Sequence, residues 1–184
     1  MGFLIKIIYY KILKWKVVGN TNFSIDTIKK CVIIAVPHTS WHDFYIGLLL
    51  RTVTSLKTSF LGKKELFFFP FSFILKYLGG VPVDRSKKGN KVDAIASLFK
   101  SKDEFRIALS PEGTRSKVSK WKTGFYHIAK KANVPIIMVT LDFENRINTI
   151  SEPFYTTNNI EKDFIYMQDF FKNVKGKVEE LSYN

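Results

Sequence analysis

Cysteine is almost absent from this 184-residue sequence, which contains one, Cys31. A single thiol cannot form an intramolecular disulfide, and it cannot supply the Cys/His ligand pattern of a zinc site. Cys31 lies within an apolar run that has the character of a strand, so we interpret it as a buried strand residue and not as a catalytic thiol. The shortage of cysteine fits a reducing compartment.

Long apolar runs are also lacking. The N-terminal apolar segment and the phenylalanine-rich segment at residues 67–73 both fall short of the roughly 20 residues that span a bilayer as a helix. Lysines interrupt the N-terminal segment, where the apolar region of a secretory signal would be continuous. On a helical wheel, residues 3–16 place apolar side chains on one half and lysines on the other, with Lys16 as the exception.

A basic amphipathic helix that contains Trp and Tyr is typical of an element lying in a membrane interface. Each lysine of such a helix adds attraction to anionic lipid, worth about 1 kcal/mol near the surface. We therefore predict a membrane-associating helix at residues 1–16 and one domain at residues 17–184. The alternative for the N-terminal segment is an ordinary helix packed against the protein's own core.

Acidic residues are scarce: 16 Asp and Glu stand against 29 Lys and Arg, which gives a net charge of +13. A field of this sign favours nucleic acid, anionic lipid or a phosphorylated small molecule as partner. The sequence has no zinc finger, RRM-like block or recognition-helix pattern, so we expect no nucleic-acid partner. A non-catalytic basic module that binds anionic membrane or nucleic acid stays the rival hypothesis to an enzyme.

Apolar runs and helical spacings alternate along the chain, without repeats or an interdomain linker. Strands are predicted at residues 15–18, 31–36, 53–60, 81–85, 105–109, 134–141 and 145–154. Helices are predicted at residues 43–53, 91–103, 123–132 and 160–181, the last with a candidate break at Gly176. Because polar groups follow several of the strands, a single sheet could present them on one rim.

A histidine and a carboxylate follow the first buried strand. The run Cys31–Val36 ends at Pro37, His38 comes next, and Asp43 lies five residues further on. A strand that turns into a helix at such a point is where α/β proteins bind ligands. Asp43 would fix the tautomer of His38 and favour its protonated form, which makes a better general base. The alternative is that His38 caps the turn and Asp43 caps the helix.

An arginine lies at the end of one further predicted strand, and another lies in the loop that follows a second one. Arg85 ends the run that begins at Gly80, and Arg115 lies in the loop Ser110–Ser116, which follows a strand and a proline. Gly113 in that loop allows close approach of the backbone to a ligand, and a guanidinium matches a phosphate. A salt-bridged turn is the alternative for this loop. The segment at 67–73 suits a buried core, an apolar-chain site or a bilayer surface.

Four blocks in this order resemble the glycerolipid acyltransferase family, whose best-known member is lysophosphatidate (1-acyl-glycerol-3-phosphate) acyltransferase. The blocks are His38-x4-Asp43, Gly80-Val81-Pro82-Val83-Asp84-Arg85, Pro111-Glu112-Gly113-Thr114-Arg115-Ser116 and Val134-Pro135-Ile136-Ile137. The sequence departs from the family pattern at three positions. Met138 stands where many relatives have a second proline, Ser110 where a phenylalanine is common, and His42 is a second histidine beside Asp43.

The resemblance implies a single-domain mixed α/β sheet flanked by helices. It also implies transfer of a fatty acyl group from a thioester, acyl-CoA or acyl carrier protein, to a hydroxyl of a lysophospholipid. The family attaches to membranes through an N-terminal helical element, so we expect peripheral or monotopic association with the cytoplasmic face of the cell membrane. A thioester is already activated, so no enzyme nucleophile is required, and no metal or organic cofactor is expected.

The resemblance also implies a role for each site residue. His38 would be the general base and Asp43 would orient it. Arg85 and Arg115 would hold the acceptor phosphate, in a pocket shaped by Glu112, Gly113 and Thr114. An acyltransferase of the same fold that acts on another acceptor, such as a lyso-ornithine lipid, stays an alternative.

Overall fold

A mixed sheet of seven strands runs through the part of the chain that the structure describes, which is residues 2–21, 28–83 and 91–183 of the computed structural model. The strands are β1 (Lys16–Gly19), β2 (Lys30–Val36), β3 (Ser59–Lys63), β4 (Gly80–Val83), β5 (Phe105–Leu109), β6 (Ile136–Thr140) and β7 (Ile147–Ile150). Their spatial order is β1-β7-β6-β2-β5-β3-β4, and the pairing of β6 with β7 is antiparallel whereas the other five are parallel. The predicted α/β domain with a mixed sheet is confirmed.

Helices cover both faces of the sheet. They are α1 (Gly2–Ile7), which continues as a π-helix (Ile8–Ile12), α2 (His42–Val53), α3 (Phe71–Tyr77), α4 (Lys91–Ser101), α5 (Gly124–Ala132) and α6 (Ile160–Phe170), with 3₁₀ turns at Lys64–Leu66 and Glu179–Leu181. Helices α4, α5 and α6 share an apolar cluster with one face. Helix α2 and the N-terminal helix share a second cluster with the other face.

Strand β2 is common to both clusters. Val32 and Ile34 belong to the cluster with α4, α5 and α6, and Cys31 and Ile33 belong to the cluster with α2, because successive side chains of a strand point to opposite faces. A strand buried on both faces is apolar throughout, as this one is. Burial raises the pKa of the Cys31 thiol to about 12. The interpretation of Cys31 as a packed strand residue is therefore confirmed.

The N-terminal helix is shorter than predicted. It ends at Ile12, because Lys14 adopts a left-handed conformation with φ 56°, and Lys16 already pairs with Ile147 in β1. Tyr9 is fully buried and donates a hydrogen bond to Asn148 Oδ1 at 2.6 Å. The inner face of this helix thus packs on the sheet. Its role at a membrane and the division of the chain at residue 16 stay predictions.

Two other boundaries differ from the predicted ones. Strand β3 begins at Ser59, not at residue 53, because α2 continues to Val53 and the chain turns through Ser55 at φ 57°. The last helix ends at Phe170 instead of residue 181, and Asn173 in the left-handed region prevents its continuation. In the described part of the chain, every helix is too short or too polar to cross a bilayer.

Candidate active site

His38 and Asp43 meet at the point where β2 passes into α2. The chain leaves the strand through a cis Val36–Pro37 peptide bond, and α2 begins at His42. His38 Nδ1 lies 3.0 Å from Asp43 Oδ2, with side-chain exposures of 26% and 2%. Because Nδ1 is engaged with the buried carboxylate, the other ring nitrogen, Nε2, is the one that can take a proton from a substrate.

Backbone hydrogen bonds fix the carboxylate of Asp43. The N–H groups of Thr39 and Ser40 each donate to Asp43 Oδ2 at 2.8 Å, so the side chain closes the turn that carries His38. Asp43 Oδ1 is buried and has no hydrogen-bond partner among the described residues. The alternative, in which Asp43 caps the helix, is not observed, because the N-cap of α2 is Trp41 and has no side-chain cap among the residues that the structure describes. One oxygen atom of Asp43 instead contacts both the turn and His38.

Glu112 joins the second loop to the first. Strands β2 and β5 are parallel neighbours, so the loops that follow them lie at the same edge of the sheet. Glu112 Oε2 accepts hydrogen bonds from the backbone N–H of His38 at 2.7 Å and from Ser110 Oγ at 3.0 Å. Burial raises the pKa of this carboxyl, although both hydrogen bonds lower it. Its predicted contact with an acceptor stays a prediction.

The rest of this loop is exposed. Gly113 has φ +67°, and a Cβ there would lie 2.6 Å from Lys122 Nζ, which agrees with a tight turn that favours glycine. Thr114 and Arg115 are both solvent-exposed. Within the described ranges Arg115 makes no ion pair or side-chain hydrogen bond, so the salt-bridged turn is not observed there. Arg85, the other predicted phosphate ligand, lies outside the described residues.

The C-terminal segment supports the same turn, which sequence reasoning missed. The backbone N–H of Val178 donates to Thr39 Oγ1 at 3.1 Å. A Cβ on Gly176 would lie 2.6 Å from Thr39 Oγ1, and the Gly176 N–H donates to Ser182 Oγ at 2.9 Å. The one sequence signal was Gly176 itself, which we interpreted as a helix break.

An apolar cavity of about 80 Å³ lies between α2 and the sheet. It is lined by Asp43 and by Ile33, Ala35, Gly47, Leu50, Arg51, Thr54, Leu56, Thr58, Ala108, Ile137, Val139, Leu141 and Ile150. Asp43 therefore faces His38 through one oxygen and borders the cavity at the same time. The phenylalanine-rich segment at 67–73 is not part of this lining.

The fold and the site define a class of protein. A family model described as Acyltransferase matches residues 14–142, which include both loops of the site, and the chain belongs to that family. Among curated relatives, the 1-acyl-sn-glycerol-3-phosphate acyltransferase of Haemophilus influenzae is 29% identical over 146 residues, covering 67% of this chain and 61% of the relative. The protein of the same name from Escherichia coli is 37% identical over 94 residues, covering 47% of this chain and 38% of the relative.

A solved structure has a similar fold. The crystal structure of the 1-acyl-sn-glycerophosphate (LPA) acyltransferase PlsC from Thermotoga maritima aligns with a TM-score of 0.61 at 21% identity, covering 93% of this chain and 76% of that one. The matched part of the present chain spans 61% of the length of the Haemophilus influenzae relative and 38% of that of the Escherichia coli relative.

Proposed function

We propose that the protein transfers a fatty acyl group from a thioester donor, acyl-CoA or acyl carrier protein, to a hydroxyl of a lysophospholipid. The favoured acceptor is 1-acyl-glycerol-3-phosphate, which would give phosphatidate. The observation that carries this proposal is the His38–Asp43 pair at 3.0 Å, in a turn bonded to the loop of the exposed Arg115. The names of the relatives support the acceptor class.

His38 acts as general base in this proposal. Nε2 takes the proton of the acceptor hydroxyl while its oxygen attacks the thioester carbonyl, and Asp43 stabilises the imidazolium that forms. The tetrahedral intermediate then expels the thiolate, which receives the proton from His38. The ester bond is formed, the thioester bond is broken and the histidine is regenerated, so no metal or organic cofactor enters the cycle.

The substrates have separate places in this scheme. Arg115, together with Arg85, would hold the acceptor phosphate and so fix the hydroxyl near His38. Glu112, Gly113 and Thr114 would shape that pocket from the loop after β5. The cavity beneath α2 is apolar and bordered by Asp43, which suits the start of the donor's acyl chain.

The same proposal includes a membrane surface as partner, and we expect no nucleic-acid partner. Phe3, Leu4 and Ile12 of the N-terminal helix are exposed, and Lys6 and Lys11 beside them are exposed as well. Apolar side chains with flanking lysines would bind an anionic bilayer surface. We propose peripheral or monotopic association with the cytoplasmic face of the cell membrane.

An acyl-transfer assay with a panel of lysolipids tests the proposed acceptor through Arg115. Arg115→Ala is expected to raise the KM for 1-acyl-glycerol-3-phosphate by about tenfold or more, because a charge-assisted contact to the phosphate is lost. The KM for the acyl donor is expected to stay unchanged. Lys117→Ala, which removes an exposed cation two residues away, is the matched control for bulk charge.

A non-phosphorylated acceptor, monoacylglycerol, separates the outcomes. Its weaker acylation is expected to be the same in wild type and Arg115→Ala. An equal loss with both acceptors would show that Arg115 does not recognise phosphate, and another acceptor lipid, such as a lyso-ornithine lipid, would then be favoured. Absence of acyl transfer to every lysolipid in the panel would reject the enzymatic proposal.

The contact of Gly176 with Thr39 gives a further prediction. Gly176→Ala places a methyl group 2.6 Å from Thr39 Oγ1, so the turn that carries His38 must shift. Misplacement of a catalytic base by about 1 Å costs on the order of tenfold to 10²-fold in kcat. We expect this loss together with a lower unfolding midpoint in urea. Gly124→Ala, where a Cβ meets nothing within 4 Å, is the control and should retain wild-type kcat.

A further inference from the structure

A group of large apolar side chains is exposed on and before α3. It consists of Leu66 (51% exposed), Phe68 (56%), Phe69 (79%), Phe71 (52%), Phe73 (72%), Ile74 (56%) and Tyr77 (76%), and we call it the aromatic patch. Ring contacts connect its parts: Phe68 lies 5.1 Å from Phe71, and Phe69 lies 6.4 Å from Phe73, between ring centroids. Of the three alternatives for residues 67–73, a buried core does not apply to the exposed phenylalanines.

The segment is held against the body of the protein, although its outer surface is exposed. The ring of Phe67 occupies the space over two glycines, since a Cβ on Gly62 or on Gly80 would lie 2.6 or 3.0 Å from it. At the other end of α3, the guanidinium of Arg51 in α2 donates a hydrogen bond to the carbonyl oxygen of Leu78. The aromatic patch is therefore a fixed surface.

The aromatic patch lies on the same face of the sheet as the N-terminal helix. Gly80 pairs with Phe60 in neighbouring strands, so both residues point to one face, and the Phe60 ring contacts Phe44 of α2 at 5.1 Å. The N-terminal helix also packs against α2. Two exposed apolar surfaces thus flank α2 on one side of the molecule.

Charge and position indicate what covers the aromatic patch. Residues 55–82 contain four lysines and one glutamate, and Lys57 and Lys76 are exposed. Cations around an apolar surface with a tyrosine match a bilayer interface that contains anionic lipid. The patch also begins at the edge of the sheet that carries His38, because β2, β5 and β3 are parallel.

We propose that the aromatic patch is a second membrane-binding surface, which enters the interface of an anionic bilayer and acts together with the N-terminal helix. Helix α3 has seven residues, about 10 Å in length, so it lies in the interface and does not cross the bilayer. The two surfaces fix the side of the molecule that faces the lipid. This inference rests on the proposed function only in that it places His38 near a bilayer-bound acceptor.

Vesicle sedimentation of the full chain tests the proposal. Phe69→Ser/Phe73→Ser is expected to weaken binding to mixed phosphatidylcholine and phosphatidylglycerol vesicles by about ten- to a hundredfold, because two large apolar groups no longer leave water. Both side chains are exposed, so the unfolding midpoint should stay at the wild-type value. The control is Tyr155→Ser/Ile165→Ser, which removes two comparably exposed side chains, one of them on α6. The control is expected to bind vesicles like wild type.

A fluorescence measurement tests insertion directly. Phe73→Trp is expected to be quenched by lipids with brominated acyl chains more strongly than wild type, which contains three native tryptophans, and Ile165→Trp is expected to show no added quenching. Equal vesicle binding by the double variant and wild type, with no quenching of the Phe73→Trp variant, would overturn the proposal. A dimer of wild type that becomes a monomer in the double variant, without a change in vesicle binding, would assign the patch to a second copy and overturn it as well.

The two proposals can fail separately. If vesicle binding changes as expected but no lysolipid is acylated, the membrane surface stands and the proposed reaction fails. If short-chain lysolipid in detergent is acylated equally by wild type and by the double variant, and vesicle binding is also equal, the reaction stands and the surface fails.

Discussion

His38→Ala is expected to lower kcat for acyl transfer by about 10²–10⁴-fold, the usual contribution of a positioned general base. Without the imidazole, the acceptor hydroxyl must lose its proton to water as it attacks the thioester. The KM for the acceptor should change little, because the proposed phosphate contacts lie in the other loops. Steady-state kinetics with 1-acyl-glycerol-3-phosphate and acyl-CoA measure both quantities.

Asp43→Asn and His42→Ala complete this test. The amide oxygen at residue 43 can still accept the turn's backbone hydrogen bonds, but a neutral amide does not stabilise the imidazolium that forms on His38, so we expect a loss of similar order. His42 lies next to Asp43, and its Nδ1 is 2.8 Å from Ser40 Oγ. His42→Ala should keep kcat within a few-fold of wild type. A loss in His42→Ala equal to that in His38→Ala would contradict the assignment of the base.

Glu112 gives the second large effect. Glu112→Ala removes the acceptor for the His38 N–H and for Ser110 Oγ, which leaves two partly buried donors unpaired and should lower the free energy of unfolding by about 1–3 kcal/mol. The turn that carries His38 would also be released from the loop of Arg115. We expect kcat to fall by roughly 10²-fold as a consequence of that misplacement. Urea unfolding and steady-state kinetics check the two results.

Glu112→Gln isolates the charge of this carboxyl. Burial raises the pKa of Glu112 above its ordinary value of 4.5. At a pH between the ordinary pKa and the raised pKa, Glu112 therefore binds more protons in the folded protein than in the unfolded chain. The stability that this carboxyl contributes is therefore present below pH 4.5 and is lost as pH rises through the raised pKa. The glutamine variant lacks this loss. The difference in free energy of unfolding, Glu112→Gln minus wild type, should therefore increase as pH rises from 4.5. A difference that does not change with pH would contradict the prediction.

Strand β2 and the proximity of His38 to Asp43 were predictable from local sequence. Strand β2 is buried on both faces, so its apolar run is unbroken, and the following proline and His38 mark its end without knowledge of the rest of the fold. The pairing of His38 with Asp43 spans five residues, a distance at which one turn brings side chains together. Short-range physics is sufficient for such features.

Features that depend on distant contacts were not predictable. The sequence indicates only that Glu112 lies in a loop suited to ligand binding. Its partner in the structure is the backbone N–H of His38, 74 positions away. Trp15, which follows the end of the N-terminal helix, is buried against Phe143, 5.0 Å away between ring centroids, and the local pattern contains no sign of that contact. The phenylalanines at 67–73 have the hydrophobicity of a core, and hydrophobicity does not distinguish protein interior from lipid.

The bond between Val178 and Thr39 links residues 139 positions apart, and it has a consequence for synthesis on the ribosome. The turn with His38 and Asp43 is synthesised early. Val178, whose N–H donates to Thr39, is the last of the residues that support this turn to be added. At about 5–20 residues per second, roughly 7–28 seconds separate the two events. A nascent chain would therefore contain both His38 and Asp43 well before the hydrogen bonds that support their turn are complete, because one of them forms only after residue 178 has been added.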